Sequence, residues 1–215
     1  MPGAWEIGFG EVLVATLTRE MVSTAWAKSH REMRLPPGNK IIYLSGMPFD
    51  HARNAAVQMM LTENFRYLFF VDDDVMIPPD AYAILRSNNL DIVSGLYYRR
   101  AEPIMPVALV KDRNGKREWL SSLRYGDVIP VYMTGAGCLL VRRKVFEIVP
   151  PPWFEWMSDR PDVPQEDRTS EDFTFCRKAK DQFGITTYLD TRVQCVHSGM
   201  SRVTADGKLT PMAYT

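Results

Sequence analysis

The segment Tyr67–Asp80, "YLFFVDDDVMIPPD", sets an unbroken apolar run directly before three aspartates and then two prolines. Such a run predicts a strand buried on both faces, as in parallel sheets. Adjacent carboxylates repel one another, and Asp is a poor strand former. In open α/β sheets ligands bind at the carboxyl ends of the strands, so the position of the triplet indicates a site. The alternative is a solvated turn or a helix cap, for which one Asp would be enough.

The chain around this segment alternates strand and helix patterns. Apolar runs at Glu11–Thr16, Lys40–Ser45 and Asp91–Tyr98 predict three further strands, with helical segments between them. This order predicts right-handed βαβ units and an α/β fold with a mainly parallel central sheet covered on both sides. After residue 104 two extended runs flank Asn114-Gly115, a strong hairpin signal. A smaller region of mixed sheet is therefore expected there.

Capping residues place the helix ends. Asp50 is the predicted N-cap of the second helix, and a helical run begins at Met21. Ser170 is the predicted N-cap of the helix "EDFTFCRKAKDQF", and Gly184 follows its last residue.

Composition excludes several protein classes. The chain has 215 residues, of which 46% are apolar, and its 26 basic and 26 acidic residues cancel. A zero formal charge argues against binding nucleic acid or membrane through bulk charge, although local basic patches stay possible. Three widely spaced cysteines suit a reducing compartment. With no signal-peptide pattern and no apolar run near the ~20 residues of a membrane span, we expect a soluble cytoplasmic protein.

Four features occur in an order that resembles a known enzyme family. They are a small polar loop after the first strand (Ala15–Arg19), "ARNAAV" at Ala52–Val57, the Asp-x-Asp in "FFVDDDV", and "SEDFTFCRKAKDQFGITTYLDTRVQCVHSG" at Ser170–Gly199. This set resembles the GT-A fold glycosyltransferases, especially the family 2-like group, from about Val12 to the end of the last motif. The chain departs from the pattern at Leu17, where Pro is frequent, and it lacks the Gln-x-x-Arg-Trp motif of processive synthases.

The resemblance implies one GT-A domain over residues 1–215. Residues 1–104 would form the nucleotide-binding half, residues 105–199 the acceptor-binding half, and residues 200–215 a tail. The implied reaction is metal-dependent transfer of a sugar from a nucleotide-diphosphate sugar to an acceptor hydroxyl, with inversion at the sugar carbon. The acceptor stays open among a glycan, a protein and a nucleobase, and so does the oligomeric state.

The metal site is assigned to three residues. Alternate carboxylates supply the hard oxygen ligands that suit Mg²⁺ or Mn²⁺. The resemblance puts Asp74 on the metal, Asp72 near the ribose or a metal-bound water, and Asp73 near the nucleoside. It makes His197 a further ligand of the metal, whereas a lone His is otherwise read as a satisfied structural residue.

The catalytic residues are assigned to the start of the late helix. An inverting transfer needs a carboxylate that takes the proton of the attacking hydroxyl. The resemblance selects Asp172 as this general base and gives Glu171 the orientation of the acceptor. The alternative is that both carboxylates are present only because the helix dipole favours negative charge at a helix N-terminus. The aromatic residues Trp153, Phe154 and Trp156 precede this helix and either stack on the acceptor or pack the loop down.

Nucleotide-sugar binding is assigned to polar, basic and glycine residues at strand exits, on the second helix and in the tail. In addition to Asp72 and Asp73, they are Thr16, Thr18, Arg19, Arg53, Asn54, Gly135 and Arg202. The glycines of "TGAG" (Thr134–Gly137) leave room for a sugar beside backbone amides. Two arginines end "GLYYRR" and suit a phosphate or an acidic acceptor.

Other classes fit less well. A haloacid-dehalogenase-type phosphatase wants Thr or Val where Met76 stands, and a sugar nucleotidyltransferase wants a Gly-rich loop after the first strand. A non-catalytic nucleotide-sugar or glycan-binding module of the same fold is the remaining alternative. The presence of the Asp-x-Asp, the Glu-Asp pair and the His together argues against it.

Overall fold

A computed structural model describes residues 10–199, 201–204 and 206–211. The strands are β1 (Gly10–Leu17), β2 (Asn39–Leu44), β3 (Phe65–Val71), β4 (Val75–Met76), β5 (Ile92–Leu96), β6 (Ala108–Lys111), β7 (Arg117–Trp119), β8 (Val128–Val131), β9 (Met133–Thr134), β10 (Cys138–Arg142), β11 (Thr187–Gln194), β12 (Val196–His197), β13 (Ser201–Val203) and β14 (Leu209–Pro211). The helices are α1 (Thr24–Glu32), α2 (Phe49–Thr62), α3 (Ala81–Ser87), α4 (Arg143–Ile148) and α5 (Glu171–Phe183), and a 3-10 turn spans Gln165–Asp167.

A central sheet of seven strands has the order β2-β1-β3-β10-β5-β11-β8. Strands β1, β2 and β3 run parallel to one another, and β5 runs parallel to β11. Strand β10 lies antiparallel between β3 and β5, and β8 is antiparallel at the edge. The predicted α/β fold with a mainly parallel sheet is confirmed, and the two reversed strands come from the second half of the chain.

Two small sheets lie beside the central one. Strands β7, β6 and β9 form an antiparallel sheet around the predicted hairpin. Strands β14, β13, β12 and β4 form the other, in which His197 pairs with Val75. Since Val75 directly follows the aspartate triplet, this pairing carries His197 to the carboxyl end of β3.

Strand β3 is buried on both faces, as its apolar run predicts. Leu68 and Phe70 pack with the buried side of α2 and with α5, whereas Phe69 packs on the other face with α3. The sheet is therefore the middle of three layers. Among the described residues, no helix is both long and apolar enough to cross a bilayer. The cysteines are buried, and none forms a disulfide.

Some predicted helix ends need correction. Helix α1 begins at Thr24 rather than Met21, because the Ser23 side chain accepts a hydrogen bond from the Trp26 amide and caps it. Helix α2 has Pro48 as its N-cap, which leaves Asp50 inside the first turn. Ser170 is the N-cap residue of α5, but its side chain caps no amide. Gly184 ends that helix in the left-handed conformation, at φ 70°, as predicted.

Candidate active site

A cavity of about 250 Å³ lies at the carboxyl edge of the parallel strands. Its walls include Asp72 and Asp74 after β3, Glu171 and Asp172 at the start of α5, and His197 on β12. The structure therefore brings together five residues that the sequence places in three separate regions. We call this cavity the cleft.

Arg53 joins the two acidic regions of the cleft. Its guanidinium donates through Nη2 to Asp72 Oδ2 at 2.9 Å and through Nε to Glu171 Oε1 at 3.0 Å. The side chain is 3% exposed. Arg53 Nη1 and Asp72 Oδ1 are buried without a hydrogen-bond partner in the described structure. Arg53 thus lines the cleft, and two of its three nitrogens donate to carboxylates of the protein itself.

Burial controls the protonation of these carboxylates. It raises the pKa of Asp72 to about 6, although the charge and hydrogen bond of Arg53 oppose it. Burial and the neighbouring Asp172 likewise raise the pKa of Glu171, again against Arg53. For Arg53 burial works to lower the pKa, but the charges of Asp72 and Glu171 outweigh it and keep the guanidinium ionised. One positive charge is therefore shared between two desolvated acids.

Asp74 has a different set of partners. Its Oδ2 lies 3.6 Å from His197 Nε2 and 3.1 Å from Arg100 Nη1. Burial works to raise the pKa of Asp74, but His197, followed by Arg100 and Arg19, outweighs it and holds the pKa below its usual value. The second ring nitrogen of His197, Nδ1, lies 2.8 Å from the Tyr98 carbonyl oxygen. Nδ1 can donate to that carbonyl, and Nε2 is the ring nitrogen that faces the Asp74 carboxylate.

The donor set of the cleft fits a divalent cation in part. Asp74 Oδ2 and His197 Nε2 are close enough to share one ion, and a backbone bond at Nδ1 is the usual way to orient a histidine ligand. Asp72 is turned toward Arg53, although its Oδ1 has no partner. Within the described residues, no group of three or more His, Cys, Asp or Glu side chains is arranged to hold a metal. A cation here would take two protein ligands and complete its shell with substrate oxygens and water, which is common for Mg²⁺.

Asp172 is held in place by three hydrogen bonds from the protein. Its Oδ1 accepts from the Ser170 hydroxyl and from the Phe173 amide at 2.8 Å, and its Oδ2 accepts from the Ala136 amide at 3.1 Å. The residue is half-buried, whereas Glu171 is buried. Asp172 therefore presents the more accessible carboxylate of the pair, and Oδ2 keeps a lone pair for a further proton.

The residues at the end of β1 that are predicted to bind the nucleotide sugar do not all reach a cavity. Thr16 is fully buried, and its hydroxyl lies 3.4 Å from His30 Nε2, so the structure does not bring it to a cavity. Thr18 and Arg19 line a second cavity of about 410 Å³, together with apolar residues of β1, β2 and α2. Arg19 and Phe49 also line the cleft, so the two cavities adjoin. Asp73 accepts a hydrogen bond from the Arg19 amide at 2.8 Å and fixes this junction.

Asn54 has a structural position. Its Nδ2 donates to the carbonyls of Asp50 and Phe154 at 2.8 and 2.7 Å. Its Oδ1 accepts from the amides of Trp153 and Phe154 at 2.9 and 3.2 Å. Both ends of the amide are occupied by backbone groups, so neither end is free for the predicted contact with the nucleotide.

Position 135 requires glycine for a reason other than the predicted room for a sugar. A Cβ at this position would overlap the Tyr97 hydroxyl oxygen. That oxygen accepts a hydrogen bond from the Gly137 amide at 3.0 Å. The room beside the amides of "TGAG" is thus filled by Tyr97 and by Asp172 rather than left for a sugar.

The aromatic loop and the tail reach the cleft only in part. Trp153 and Phe154 are buried in the core, whereas Trp156 is 40% exposed and lines the cleft. The side chain of Arg202 lies outside the described part of the structure. Lys208 pairs with Asp206 at 2.9 Å.

The contacts of Arg100 and Tyr97 at the cleft could be found only from the structure. The sequence marks Arg99 and Arg100 equally, as two arginines that end "GLYYRR". In the structure Arg100 is the one that reaches Asp74. A Cβ on Gly199 would meet its guanidinium at 2.8 Å, which accounts for the glycine of "HSG". Tyr97 had no sequence signal, because a buried tyrosine in an apolar strand is ordinary.

Comparisons with known proteins show the fold. No family model and no curated protein sequence matches the chain. The crystal structure of A197 from STIV superposes with a TM-score of 0.68 at 17% identity, over 95% of each chain. Crystal structures of S. aureus TarS 1-349, alone and in complex with UDP-GlcNAc, have TM-scores of 0.44 and 0.46 at 13% and 14% identity. They match 83% of this chain but 57% and 55% of TarS, and these scores are too low to carry an argument. The chain therefore shares its fold with A197 over nearly the whole length of both.

Proposed function

We propose that the chain is a metal-dependent GT-A glycosyltransferase that moves a sugar from a nucleotide-diphosphate sugar to an acceptor hydroxyl. The observation that carries the proposal is the meeting of Asp74, His197 and Asp172 in one cleft at the carboxyl edge of the parallel strands. This edge is where open α/β sheets bind their ligands. The group combines candidate metal ligands with a candidate base, and a metal-dependent inverting transfer of a sugar from a diphosphate uses both.

The adjoining cavities suggest how the donor lies. The cavity beside Thr18 has apolar walls from Leu17, Leu44 and Phe49 and suits the nucleoside. Arg19 stands at the junction and suits the diphosphate. The sugar would then extend into the cleft toward Asp172.

The leaving group is a diphosphate, so its negative charge must be neutralised as the sugar bond breaks. A Mn²⁺ or Mg²⁺ ion held by Asp74 and His197 would supply this neutralisation. Arg100 already lies 3.1 Å from Asp74 Oδ2 and would add a second positive charge beside the diphosphate. Asp72 would stay with Arg53 and shape the wall rather than bind the ion directly.

The proton of the acceptor hydroxyl would pass to Asp172 Oδ2 in an inverting reaction. Three protein donors orient this carboxylate before the acceptor arrives. Glu171 is held by Arg53, and the two residues line the cleft together. Glu171 would position the acceptor by contact with this wall. Trp156 lines the same cleft and offers an aromatic face to an acceptor ring.

The first prediction tests the donor site. Uridine and guanosine diphosphate sugars are titrated calorimetrically with Mn²⁺, with Mg²⁺ and with EDTA. We expect at least one donor to bind in a metal-dependent way, and Asp74→Ala to abolish that dependence because the ion loses its carboxylate. Asp181→Ala is the matched control, since Asp181 lies on α5 and pairs with Lys111 and Tyr132 away from the cleft. Equal affinity with and without metal in the wild type would contradict the metal site.

The second prediction separates transfer from binding. Asp172→Asn removes the general base but keeps the size of the side chain. We expect the transfer rate to fall roughly 10²–10⁴-fold while donor affinity stays within a few-fold. Mass spectrometry of glycan, protein and nucleobase acceptors gives the rate, and calorimetry gives the affinity. Donor binding without transfer to any acceptor by the wild type would favour the non-catalytic binding module, and a near-normal rate in the variant would remove Asp172 from the base role.

A further inference from the structure

A third cavity adjoins the cleft at the start of α5. It has a volume of about 470 Å³, and its walls come from the hairpin of β6 and β7 and from the loop that leads into α5. We call it the side cavity. Ser170 lines both the side cavity and the cleft, and its hydroxyl donates to Asp172. A group bound in the side cavity would therefore lie next to the candidate base.

The side cavity has polar and apolar walls but no acidic one. Of the nine described residues that line it, three are apolar, among them Phe173, and four are polar and neutral, among them Ser158 and Gln165. The other two are Arg117 and Arg168, and none of the nine is acidic. Neutral polar groups suit the hydroxyls of a sugar, and apolar ones suit its C–H faces. The two arginines add positive charge to these surfaces.

Arg117 stands at the start of β7 and is half-buried. In the described part of the chain its side chain makes no hydrogen bond and no ion pair. Trp119 follows two positions later and so lies on the same face of the strand, where its ring lies 6.2 Å from that of Phe173. This contact holds β7 against α5. The strand thus keeps a guanidinium at the cavity with its donors unfilled.

Arg168 comes from the loop before α5, directly after the 3-10 turn. It donates through Nε to the Val163 carbonyl at 3.0 Å and through Nη2 to the Pro161 carbonyl at 3.3 Å. Among the described residues no carboxylate forms an ion pair with it. Asp162 lies near enough to interact with its charge, but the ion pair of Asp162 is with Arg160 at 2.6 Å. The two carbonyls therefore orient the guanidinium without neutralising it.

We propose that the side cavity binds the acidic group of a saccharide acceptor, a sugar phosphate or a sugar acid, an inference that rests on the proposed function. A guanidinium fork matches the oxygens of a phosphate or a carboxylate and binds them with charge-assisted hydrogen bonds. The attacking hydroxyl must reach Asp172, so the rest of the acceptor would extend past Ser170 into the side cavity. Arg117 and Arg168 would then select acidic acceptors over neutral ones.

The test measures binding to the full chain by titration calorimetry, with EDTA present so that no divalent ion links the probe to the cleft. Glucose 6-phosphate, glucuronate and glucose share one ring and differ in the charged group. We expect at least one acidic probe to bind at one site, at least tenfold more tightly than glucose, and added salt to weaken it. Tighter binding of glucose 6-phosphate identifies a phosphate, and tighter binding of glucuronate identifies a carboxylate.

Variants locate the bound probe. Arg117→Gln should weaken its binding roughly tenfold, the loss expected for one charge-assisted contact, and Arg117→Lys should lose less because it keeps the charge. Arg113→Gln, in the exposed turn between β6 and β7, is the charge-matched control and should leave binding unchanged. Arg168→Gln should also weaken binding. Because Arg168 holds its own loop, thermal unfolding checks that variant, and the Arg117 series decides if it is unstable.

Three outcomes of the titrations would overturn the proposal. They are acidic probes that bind no better than glucose at millimolar concentration, equal affinity in the wild type and Arg117→Gln, and binding that survives both glutamine variants but is lost in Arg100→Gln. The last result would place the anion in the cleft. An oligoglutamate peptide is titrated in parallel. If it bound in an Arg117-dependent way and neither acidic sugar did, an acidic peptide would replace the saccharide.

The titrations use no donor and no turnover, so they separate this inference from the proposed function. Arg117-dependent binding of an acidic probe by a chain that transfers no sugar would contradict the proposed function and not the anion site. Transfer to neutral acceptors with an unchanged KM in Arg117→Gln would support the glycosyltransferase and overturn the side cavity as its acceptor site.

Discussion

Arg53 is the residue on which the electrostatics of the cleft depend most, since its single charge faces the buried carboxylate of Glu171 and the half-buried carboxylate of Asp72. The pKa values of Asp72 and Glu171 are raised by burial above those of the unfolded chain. A carboxyl group with a raised pKa binds protons more readily in the folded state. In the wild type these two groups therefore contribute stability at acidic pH, which is lost as the pH rises through their raised pKa values toward neutral.

The third prediction follows from this balance. Arg53→Met leaves the buried Glu171 and the half-buried Asp72 without their counter-charge, and the loss of a buried partner costs about 3–5 kcal/mol of unfolding free energy near pH 8. The cost should be smaller at pH 5, because both carboxyl groups can take a proton and lose their charge. Urea denaturation at the two pH values measures the difference. Arg31→Met, on the exposed side of α1, is the control and should change stability by less than about 0.5 kcal/mol. An equal loss at both pH values would show that Arg53 contributes packing rather than charge.

Helix α2 organises the cleft through two consecutive residues with different tasks. Arg53 points to the acidic wall, whereas Asn54 ties the helix to the loop that carries Trp153 and Phe154. That loop leads to Trp156 and then to α5, so these Asn54 hydrogen bonds, which we call the clamp, fix the start of the loop between α4 and α5. A helix places neighbouring residues about 100° apart, which lets two adjacent side chains serve two parts of the molecule.

The fourth prediction tests this clamp. Asn54→Ala leaves partly buried amide and carbonyl groups of Trp153 and Phe154 unpaired, and we expect a loss of about 1–3 kcal/mol in unfolding free energy. Donor affinity should stay within twofold. Gln58→Ala, one turn further on the exposed side of α2, should have little effect on either quantity. If Asn54→Ala instead weakened donor binding at unchanged stability, the residue would belong to the nucleotide site after all.

Across the whole molecule, the central sheet keeps two charged regions apart. The carboxyl end of β3 holds the cleft, and its other end holds a cavity lined by Arg66, Arg86, Arg142, Arg143 and Lys144, with buried β3 between them. This separation explains how a chain of zero formal charge presents two strongly different local potentials. Substitutions at the two ends of β3 should act independently unless the sheet itself deforms.

The fifth prediction measures this independence. Asp74→Ala and Lys144→Gln have no partner in common, so their changes in unfolding free energy should add within about 0.5 kcal/mol in the double variant. Arg53→Met and Glu171→Gln join residues in direct contact, and their changes should deviate from additivity by about 0.5–3 kcal/mol. Chemical denaturation of the six variants and the wild type gives both sums. A large coupling between Asp74 and Lys144 would mean that the sheet transmits strain between its edges.

The sequence by itself determined the elements and the ends at which chemistry gathers. Apolar runs and capping residues act over a few neighbours, so β3, its aspartates, the Glu171–Asp172 pair and the helix end at Gly184 could all be predicted locally.

The tertiary structure alone decided which distant groups meet. Arg53 finds Glu171 118 residues away, Asn54 finds Phe154 100 residues away, and β12 pairs with β4. The order of strands and the packing of layers set these meetings, and hydrophobic periodicity does not encode that order. For this reason Thr16 is buried, Gly135 makes room for Tyr97, and five basic residues that are scattered from Arg66 to Lys144 line one cavity.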